Sequence, residues 1–537
     1  MTLPSRYGTG LGPYRPIPGQ SLVLSLAACG VNVAKRPSDI EDGESPNASD
    51  VLFRKGGVSS DYGLSLLGTA YSGGANKNIL HIAEFKRKDL TTVLVRMRST
   101  EWDRWNGTNW TTLTMTPALS GLAGDRIYSI IMQDKLITAL RNGTDKLKKW
   151  DGIDGNAVVD LSSDSPIAWF LAPMGQRIVA ARIKSGGSID PYLIQWSGDG
   201  FINDWTDPLK GAGSIVLEPE GKTGSSEFIT GLSALETALV VYRQRSIVLG
   251  TRTGLGTQPF RWATVIFGLG TDSPYSIANG GAAVGDFFLG SDLNVYLFNG
   301  NGPPLPIGEP IYDILRTQIT SPELASGVVD RRNGEYHLAI CTGGSTIPNT
   351  DWVFDIRALL INRRLSWRKK NISSGYTVLG FSSRVGAANP VVDSISSIVD
   401  TVSVRVDEFG SEIAPQQLML GDTNGGVWYS DETTFIAGNY ETKVFGDTIQ
   451  ELLLDRVQFS YAARSTGQIV VSLSIDGGLN WSAEKVLDLP VSGWEREVGT
   501  WFGTVVNLFQ LRIRILSGDV TISKVNIHVT PRGRAAA

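Results

Sequence analysis

The sequence predicts an all-β protein: an irregular β-propeller of about six to seven blades, with an extended N-terminal arm and a C-terminal β-sandwich. Three observations lead there. Short stretches alternate apolar and polar residues with period two, an aromatic-then-glycine ending recurs at near-equal spacing, and long helical patterns are nearly absent. The 61 Gly and 24 Pro are spread along all 537 residues, as many strands joined by tight turns require. A hydrophobic content of 42% with 19% charged residues describes a folded chain. The length calls for more than one core.

Residues 1–60 hold scattered Pro and Gly around "KRPSDIEDGESPNASD" and show little alternation, which predicts an arm or docking segment. Within it, "SLVLSLAACG" (21–30) sets Leu26-Ala27-Ala28-Cys29 in the order of a lipoprotein cleavage box. Pro16, Pro18 and Gly19 stand where a signal peptide wants a basic tip and a long apolar run, so a buried strand is the expectation.

The propeller is assigned to 61–440. In "TTVLVRMR" (91–98), Val93, Val95 and Met97 share one face while Arg96 and Arg98 take the other, and "TVSVRV" (401–406) alternates likewise. The repeat is marked by "RWNG", "KWDG", "QWSG" and "LFNG", with Trp105, Trp150 and Trp196 at intervals of 45 and 46 residues and Phe298 a further 102 on, or two longer steps. "SIVLG" (246–250) falls near the missing midpoint, and Trp428 is a looser member. A unit of about 40–50 residues with several strands is what a blade needs, because a blade cannot bury both faces alone. The one helical candidate is "PIYDILRTQI" (310–319). From 441 to 537, "LLDRVQFSYAA", "GQIVVSLSID", "NLFQLRIRIL" and "VTISKVNIHV" alternate strongly and suit a small sandwich.

Chemistry is sparse. His81, His337 and His528 sit in unrelated contexts, and no zinc-protease, Cys-x-x-Cys or nucleophile-elbow motif is present. "PEGKT" (219–223) imitates a phosphate loop, but Val216 stands where the first Gly belongs. Asp151/Asp154 and Asp199/Asp204 could be drawn as glycosidase pairs, although Asp in Gly-rich turns more often bonds its own backbone. Cys29 and Cys341 allow one bridge at most. No catalytic residue, cofactor site or metal site is therefore expected, and the chain is read as not an enzyme. "SIDGGLNW" (474–481) has the Asp-box spacing, in which Ser474, Asp476, Gly478 and Trp481 lock a hairpin turn.

The order of several stretches resembles the tail nozzle proteins (tail tubular protein B-like) of short-tailed bacteriophages. They are "GVNVAKRPSDIEDGESPNASDVLFRKGGVSSDYG" (30–63), "QWSGDGFINDWTD" (195–207), "ITGLSALETALVVYRQRSIVLG" (229–250), "DSPYSIANGGAAVGDFFLGSDLNVYLFNG" (272–300), "DWVFDIRALLINRRLSWRKK" (351–370), "LMLGDTNGGVWYSD" (418–431) and "FQLRIRILSGDVTISKVNIHVTPRG" (509–533). The resemblance implies a structural virion protein at the tail tip, forming a hexameric ring below the portal and adaptor and carrying tail fibres or spikes. Genome DNA would pass its lumen without sequence-specific binding, and no small-molecule substrate is implied. The formal net charge of −4 fits a conduit that does not grip phosphates. The alternatives are a carbohydrate-binding or glycan-cleaving, sialidase-like propeller, or another tail part such as a hub or fibre-attachment protein.

Overall fold

The computed structural model describes residues 21–26, 30–54, 56–71, 73, 76–89, 91–218, 227–256, 258–281, 283–331, 333–372, 376–383, 416–446 and 450–534. Cys29, the 219–223 loop and the 401–406 stretch lie outside the described residues.

Five antiparallel meanders follow one another as free-standing blades, spanning 81–112, 127–160, 168–216, 229–267 and 278–306, and Met115–Thr116 adds a parallel edge to the second. Trp105, Trp150, Trp196 and Phe298 each end the third strand of their blade, and each is buried. "SIVLG" lies in the third strand of the fourth blade (Ser246–Arg252), where Gly250 replaces the aromatic and the Trp262 ring fills its space. The repeat is thus a packing position: a large ring at the end of strand three wedges one blade against the next.

Two further meanders complete the circuit but do not stand alone. Ser326–Asp330, Glu335–Ile340, Thr350–Asp355 and Trp367–Asn371 begin a ten-stranded sheet; Tyr376–Ser383, Gln416–Asp422 and Val427–Ile436 begin a nine-stranded one. Trp428 opens the third strand of the latter. Apolar clusters join successive sheets: Phe85 and Met97 meet Leu136 and Trp150, Ile137 meets Ile178, Val179 meets Val241, and Val240 meets Phe288. Phe287 then meets Tyr336, Ala339 meets Leu420, and Val427 meets Ile82 of the first blade. The ring is closed.

The expected outward face of 91–98 is corrected. Arg96 and Arg98 are buried, because neighbouring elements cover both faces of a blade strand. Arg96 pairs with Asp103 at 2.8 Å and donates to the Thr69 and Gly425 carbonyls. The helical candidate is a short α-helix, Tyr312–Gln318, entered through a 3-10 turn at Glu309–Ile311.

The C-terminal strands do not form sheets of their own. The ten-stranded sheet runs from Trp367–Asn371 through Ala48–Ser49 to Gly438–Glu441, Leu508–Ser517, Gly467–Ser474 and Lys485–Leu489. The nine-stranded sheet runs from Val427–Ile436 through Gly57–Leu66 to Val520–Arg534, Gln450–Ala463 and Ser492–Val506. Both continuations use N-terminal strands as the joint, so the segment expected as a loose arm is built into the sheets. Ser21–Ser25 also pairs with Val520–Arg534, burying Leu22 and Leu24. Period-two patterning shows that a segment is a strand but not which distant strand it pairs with, and a self-contained sandwich over 441–537 followed from that gap.

At the joint, Asp61 of Gly57–Leu66 meets Arg368 at 3.0 Å and Lys370 at 3.4 Å, and Arg368 also reaches Glu335 at 3.1 Å. All four side chains are buried. Burial alone would raise the Asp61 carboxyl; Lys370 and Arg368 hold it below the ordinary carboxylate value. Asp61→Asn is expected to lower unfolding free energy by about 3–5 kcal/mol, because two buried cations lose their counter-charge. Urea denaturation of the two proteins measures this; a change under about 1 kcal/mol, the worth of an exposed pair, would refute it.

Candidate functional site

The described residues contain three clusters of buried polar side chains that could carry chemistry. One lies beside the joint. His337 Nδ1 is 2.8 Å from Asp351 Oδ2, its Nε2 is 3.6 Å from Glu335, and Asp330, Glu335 and His337 have metal-like spacing. Burial would lower the His337 pKa, but Asp351 and Glu335 push it up to about 9. Asp330 accepts from the Asn333 amide and side chain, while Arg368 engages Glu335. The cluster is an ion network that holds strands together.

The second cluster surrounds Asp286. It accepts from Ser233 Oγ at 2.8 Å, Asn279 Nδ2 at 2.8 Å and Tyr242 Oη at 3.0 Å. Burial raises its pKa to about 6. Such a carboxyl could serve as a general acid, but Asp286 is fully enclosed, and its recorded donors are all neutral.

The third cluster lies inside the ring and reaches solvent. Arg126 and Arg141 face each other at the open end of the hairpin Ile127–Met132/Lys135–Leu140, where Arg141 N donates to Arg126 O at 2.9 Å. In the next blade, a register shift between Ala181 and Ile183 sets Arg182 apart from the ladder at φ +53°. The Arg182 and Arg141 guanidinium groups lie over the same Trp169 ring, at 3.9 and 4.3 Å from its centroid. Arg182 also lies 5.6 Å from Phe228, and Arg126 lies 5.2 Å from Tyr275. Tyr275 belongs to the 3-10 turn Pro274–Ser276 ahead of the fifth blade, yet it stacks on Tyr128 of the second at 5.1 Å. Tyr128 Oη donates to Pro274 O at 3.0 Å. Contact between the second blade and the turn that leads into the fifth places this cluster at the ring's interior.

Its charge is one-sided. Among the described residues, neither Arg141 nor Arg182 has a carboxylate within 4 Å; Asp125 attracts Arg141 from farther off, while its own carboxylate accepts from Leu122 N. Burial, then repulsion from Arg141, lowers the Arg182 pKa to about 10, which still leaves it charged at neutral pH. Burial also lowers Arg126 and raises Tyr275.

The residues singled out from sequence fall elsewhere. Asp151 accepts from Ile153 N and Asn156 Nδ2, and Asp154 pairs with Arg104. Asp199 lies 3.7 Å from Arg177, while Asp204 takes Lys210 and the Asp207 amide. Both pairs are occupied within their own turns or by neighbouring cations. His81 bonds Ser129 at 2.7 Å, and burial lowers its pKa to about 4; His528 bonds Gln458 at 2.8 Å. Cys341 is buried as a free thiol.

The Ser474–Trp481 stretch forms the turn between Gly467–Ser474 and Lys485–Leu489. Asp476 accepts from Ser474 Oγ at 2.7 Å and from the Asn480 amide and side chain at 2.9 and 2.7 Å. Gly477 and Gly478 have φ of +74° and +92°. Trp481 Nε1 donates to Gly478 O at 3.1 Å, and its ring lies under Arg512.

No protein-family model matches the sequence, and no curated protein matches it. Solved structures with a similar course of chain include an exo-β-1,3-galactanase from Phanerochaete chrysosporium, at 8% identity and a TM-score of 0.25 over 87% of this chain and all of that one. A glycoside hydrolase family 43 arabinoxylan arabinofuranohydrolase from Bacillus subtilis matches at 11% identity and 0.19, over 95% of this chain and 99% of that one. Kluyveromyces lactis Hsv2 matches at 10% identity and 0.32, over 69% of this chain and 94% of that one. With two glycoside hydrolases among them, the sequence-based exclusion of enzymatic activity is withdrawn. Scores this low assign no activity to the chain.

Two outcomes test these assignments. The raised His337 pKa makes its stabilisation complete below about pH 6.5 and lost as pH rises through about 9. Melting temperature should therefore fall between pH 7 and 9.5, and less steeply in His337→Gln; parallel curves for the two proteins would contradict it. Hydrogen bonds from Asn480 and Ser474 depress the Asp476 pKa to about 2, so that turn is stabilised above about pH 4 and weakened as pH falls toward 2. Asp476→Ala should lower the melting temperature at pH 7 more than at pH 2; an equal effect at both would remove the turn-locking role.

Proposed function

We propose that this chain is an assembly subunit of a short-tailed phage tail, a nozzle-type ring protein in which the propeller forms wall and the C-terminal sheets form contacts between copies. The observation that supports it is an unpaired sheet edge. Among the described residues, Ser492–Val506 ends the nine-stranded sheet and has a strand partner on one side only. It runs for 15 residues, whereas ordinary strands have about 5–6. Trp494 and Trp501 are 73% and 65% exposed, with Val505, Val491 and Val486 exposed beside them. A long edge with one open side and two largely exposed tryptophans is a template for another chain, although Lys485 Nζ donates to Trp501 O and the Arg456 guanidinium lies 5.4 Å from the Trp501 ring. Its occupant is a second copy, because a ring built from repeated head-to-tail contacts needs such a surface on every subunit.

Counted with the two fused meanders, the propeller has seven sectors, and the N-terminal strands fix its orientation to the contact module. In this arrangement DNA would pass the ring formed by the copies, not the axis of each propeller, which Tyr275 and its neighbours fill. Adaptor and fibres would meet other faces of the ring.

A second reading, a glycan-binding or glycan-processing propeller, is favoured by one observation: the solvent-reaching arginine and aromatic cluster inside the ring. It accords with the glycoside hydrolases among the similar folds, and the two readings use different surfaces.

Negative-stain electron microscopy and light scattering of the purified chain should show closed rings of about six copies. Trp494→Ser with Trp501→Ser should give monomers of unchanged melting temperature. A monomer at every concentration, with no ring on virion tails, would overturn the assembly reading and leave the second standing.

A further inference from the structure

The geometry points to an oxyanion-binding site at the interior of the propeller, formed by Arg141, Arg182, Trp169 and Tyr275, with Arg126 and Phe228 around them. The inference does not depend on ring assembly; it rests on and deepens the glycan reading by naming the group that would be recognised.

Two guanidinium groups from different blades meet over one indole ring, and neither has a carboxylate within 4 Å among the described residues. Bringing cations together out of water without counter-charge is unfavourable, and cation–π contact offsets only part of it. The same molecule pairs its other buried basic clusters: Arg96 with Asp103, Lys148 with Asp160, and Arg368 with Asp61 and Glu335. The departure is local to this site.

The unmet demand is for an acceptor. Among the described residues, Arg182 Nε and Trp169 Nε1 are buried with no hydrogen-bond partner, and both can only donate. The recorded hydrogen bond of Arg182 is a 3.5 Å contact to the Ile229 carbonyl. A ligand rich in acceptors and negative charge satisfies both needs, whereas a metal ion satisfies neither and a neutral sugar supplies acceptors without the charge. Both guanidinium groups lie within 4.3 Å of the Trp169 ring centroid, and a guanidinium presents several N–H donors that can take a carboxylate or phosphate in bidentate fashion. Arg141, Arg182, Trp169, Tyr275 and Phe228 are each half-buried, so a solute reaches their outer faces. The positive φ of Arg182 at its bulge shows backbone conformation given over to aiming this side chain.

The shared chemistry is a small oxyanion, carried either by an acidic sugar or by inorganic phosphate. Isothermal titration of the full chain with glucuronate, inorganic phosphate and glucose separates the sources. Saturable binding of glucuronate or phosphate is expected, with glucose silent. Glucuronate binding at least about tenfold tighter than phosphate assigns the sugar carboxylate, and the reverse order assigns phosphate. Arg141→Gln and Arg182→Gln should each weaken binding about tenfold or more, as loss of a charged hydrogen bond does, while Arg464→Gln, an exposed residue on another face, should not.

A second measurement reads the site without ligand. Arg182→Met should melt no lower than the parent in anion-poor buffer, since it removes an uncompensated charge while keeping its bulk, and it should lose the stabilisation that the preferred anion gives the parent. Absence of saturable binding by either anion would overturn the site. Binding that survives both Gln substitutions would place it elsewhere and leave the glycan reading intact. A large loss of stability in Arg182→Met would show the arginine to be structural, and would equally overturn the proposal.

Discussion

The structure depends on what happens to one N-terminal strand. Gly57–Leu66 lies between Val427–Ile436 of the last propeller sector and Val520–Arg534 of the C-terminal half. It is held there by ions that have no water to fall back on. Asp61 meets Arg368 307 residues away, and Ser59 bonds Thr521 462 residues away. Without that strand the last meander has an open edge, and the C-terminal part of the nine-stranded sheet has nothing to continue from. Closure of a propeller by a strand from the opposite end of the chain makes the ring cooperative: no blade can be lost without exposing its neighbour's apolar face. It also makes closure dependent on contacts of very long sequence separation, which form slowly.

Two ionic clusters show how differently the molecule treats buried charge. Around Asp61, anions and cations interleave, and a protonated His337 brings a further positive charge to Asp351 and Glu335. Each charge faces one of opposite sign, so the network favours one register between sheets. In the ring interior, arginines from successive blades converge on aromatic rings. The first arrangement is what a structural role requires. The second is costly in isolation, and folded proteins retain such costs where something binds.

How much of this could be read beforehand follows from sequence separation. The aromatic–glycine marks identified strand ends because each blade is local: Trp105, Trp150, Trp196 and Phe298 are placed by turns a few residues away. The Ser474–Trp481 turn was legible for the same reason, since its bonds span at most four residues. The faces of Arg96 and Arg98 were not legible, because a strand covered on both sides breaks the link between alternation and exposure. The sharing of sheets between the N-terminal segment and the C-terminal strands was hidden too, as pairing partners leave no local signature. Arg126, Arg141 and Arg182 stand on three strand ends or bulges in two blades, and only ring closure makes them one site. A bulge cannot be inferred from the plain alternation around Arg182.

The contrast among sheet edges bears most directly on assembly. The outer strands of the free-standing blades are mostly blunted: Trp110–Thr112 has three residues, Gly213–Val216 four, and Leu305–Pro306 two, with a proline. Short or proline-bearing edges resist pairing with other chains. Phe260–Phe267 is longer, at eight residues, and carries Arg261 among its exposed positions. Ser492–Val506 is long, and its Trp501 half carries neither proline nor charge. Glu495, Arg496 and Glu497 charge one stretch, but Trp501 through Val505 has no charge at all. A chain that blunts its edges elsewhere and leaves one long and aromatic has an edge suited to being covered. The same strand belongs to a different sheet from those that carry the ring-interior arginines. Assembly through the C-terminal edge and recognition inside the propeller are therefore compatible in a single subunit, with the Asp61 joint fixing the geometry between them.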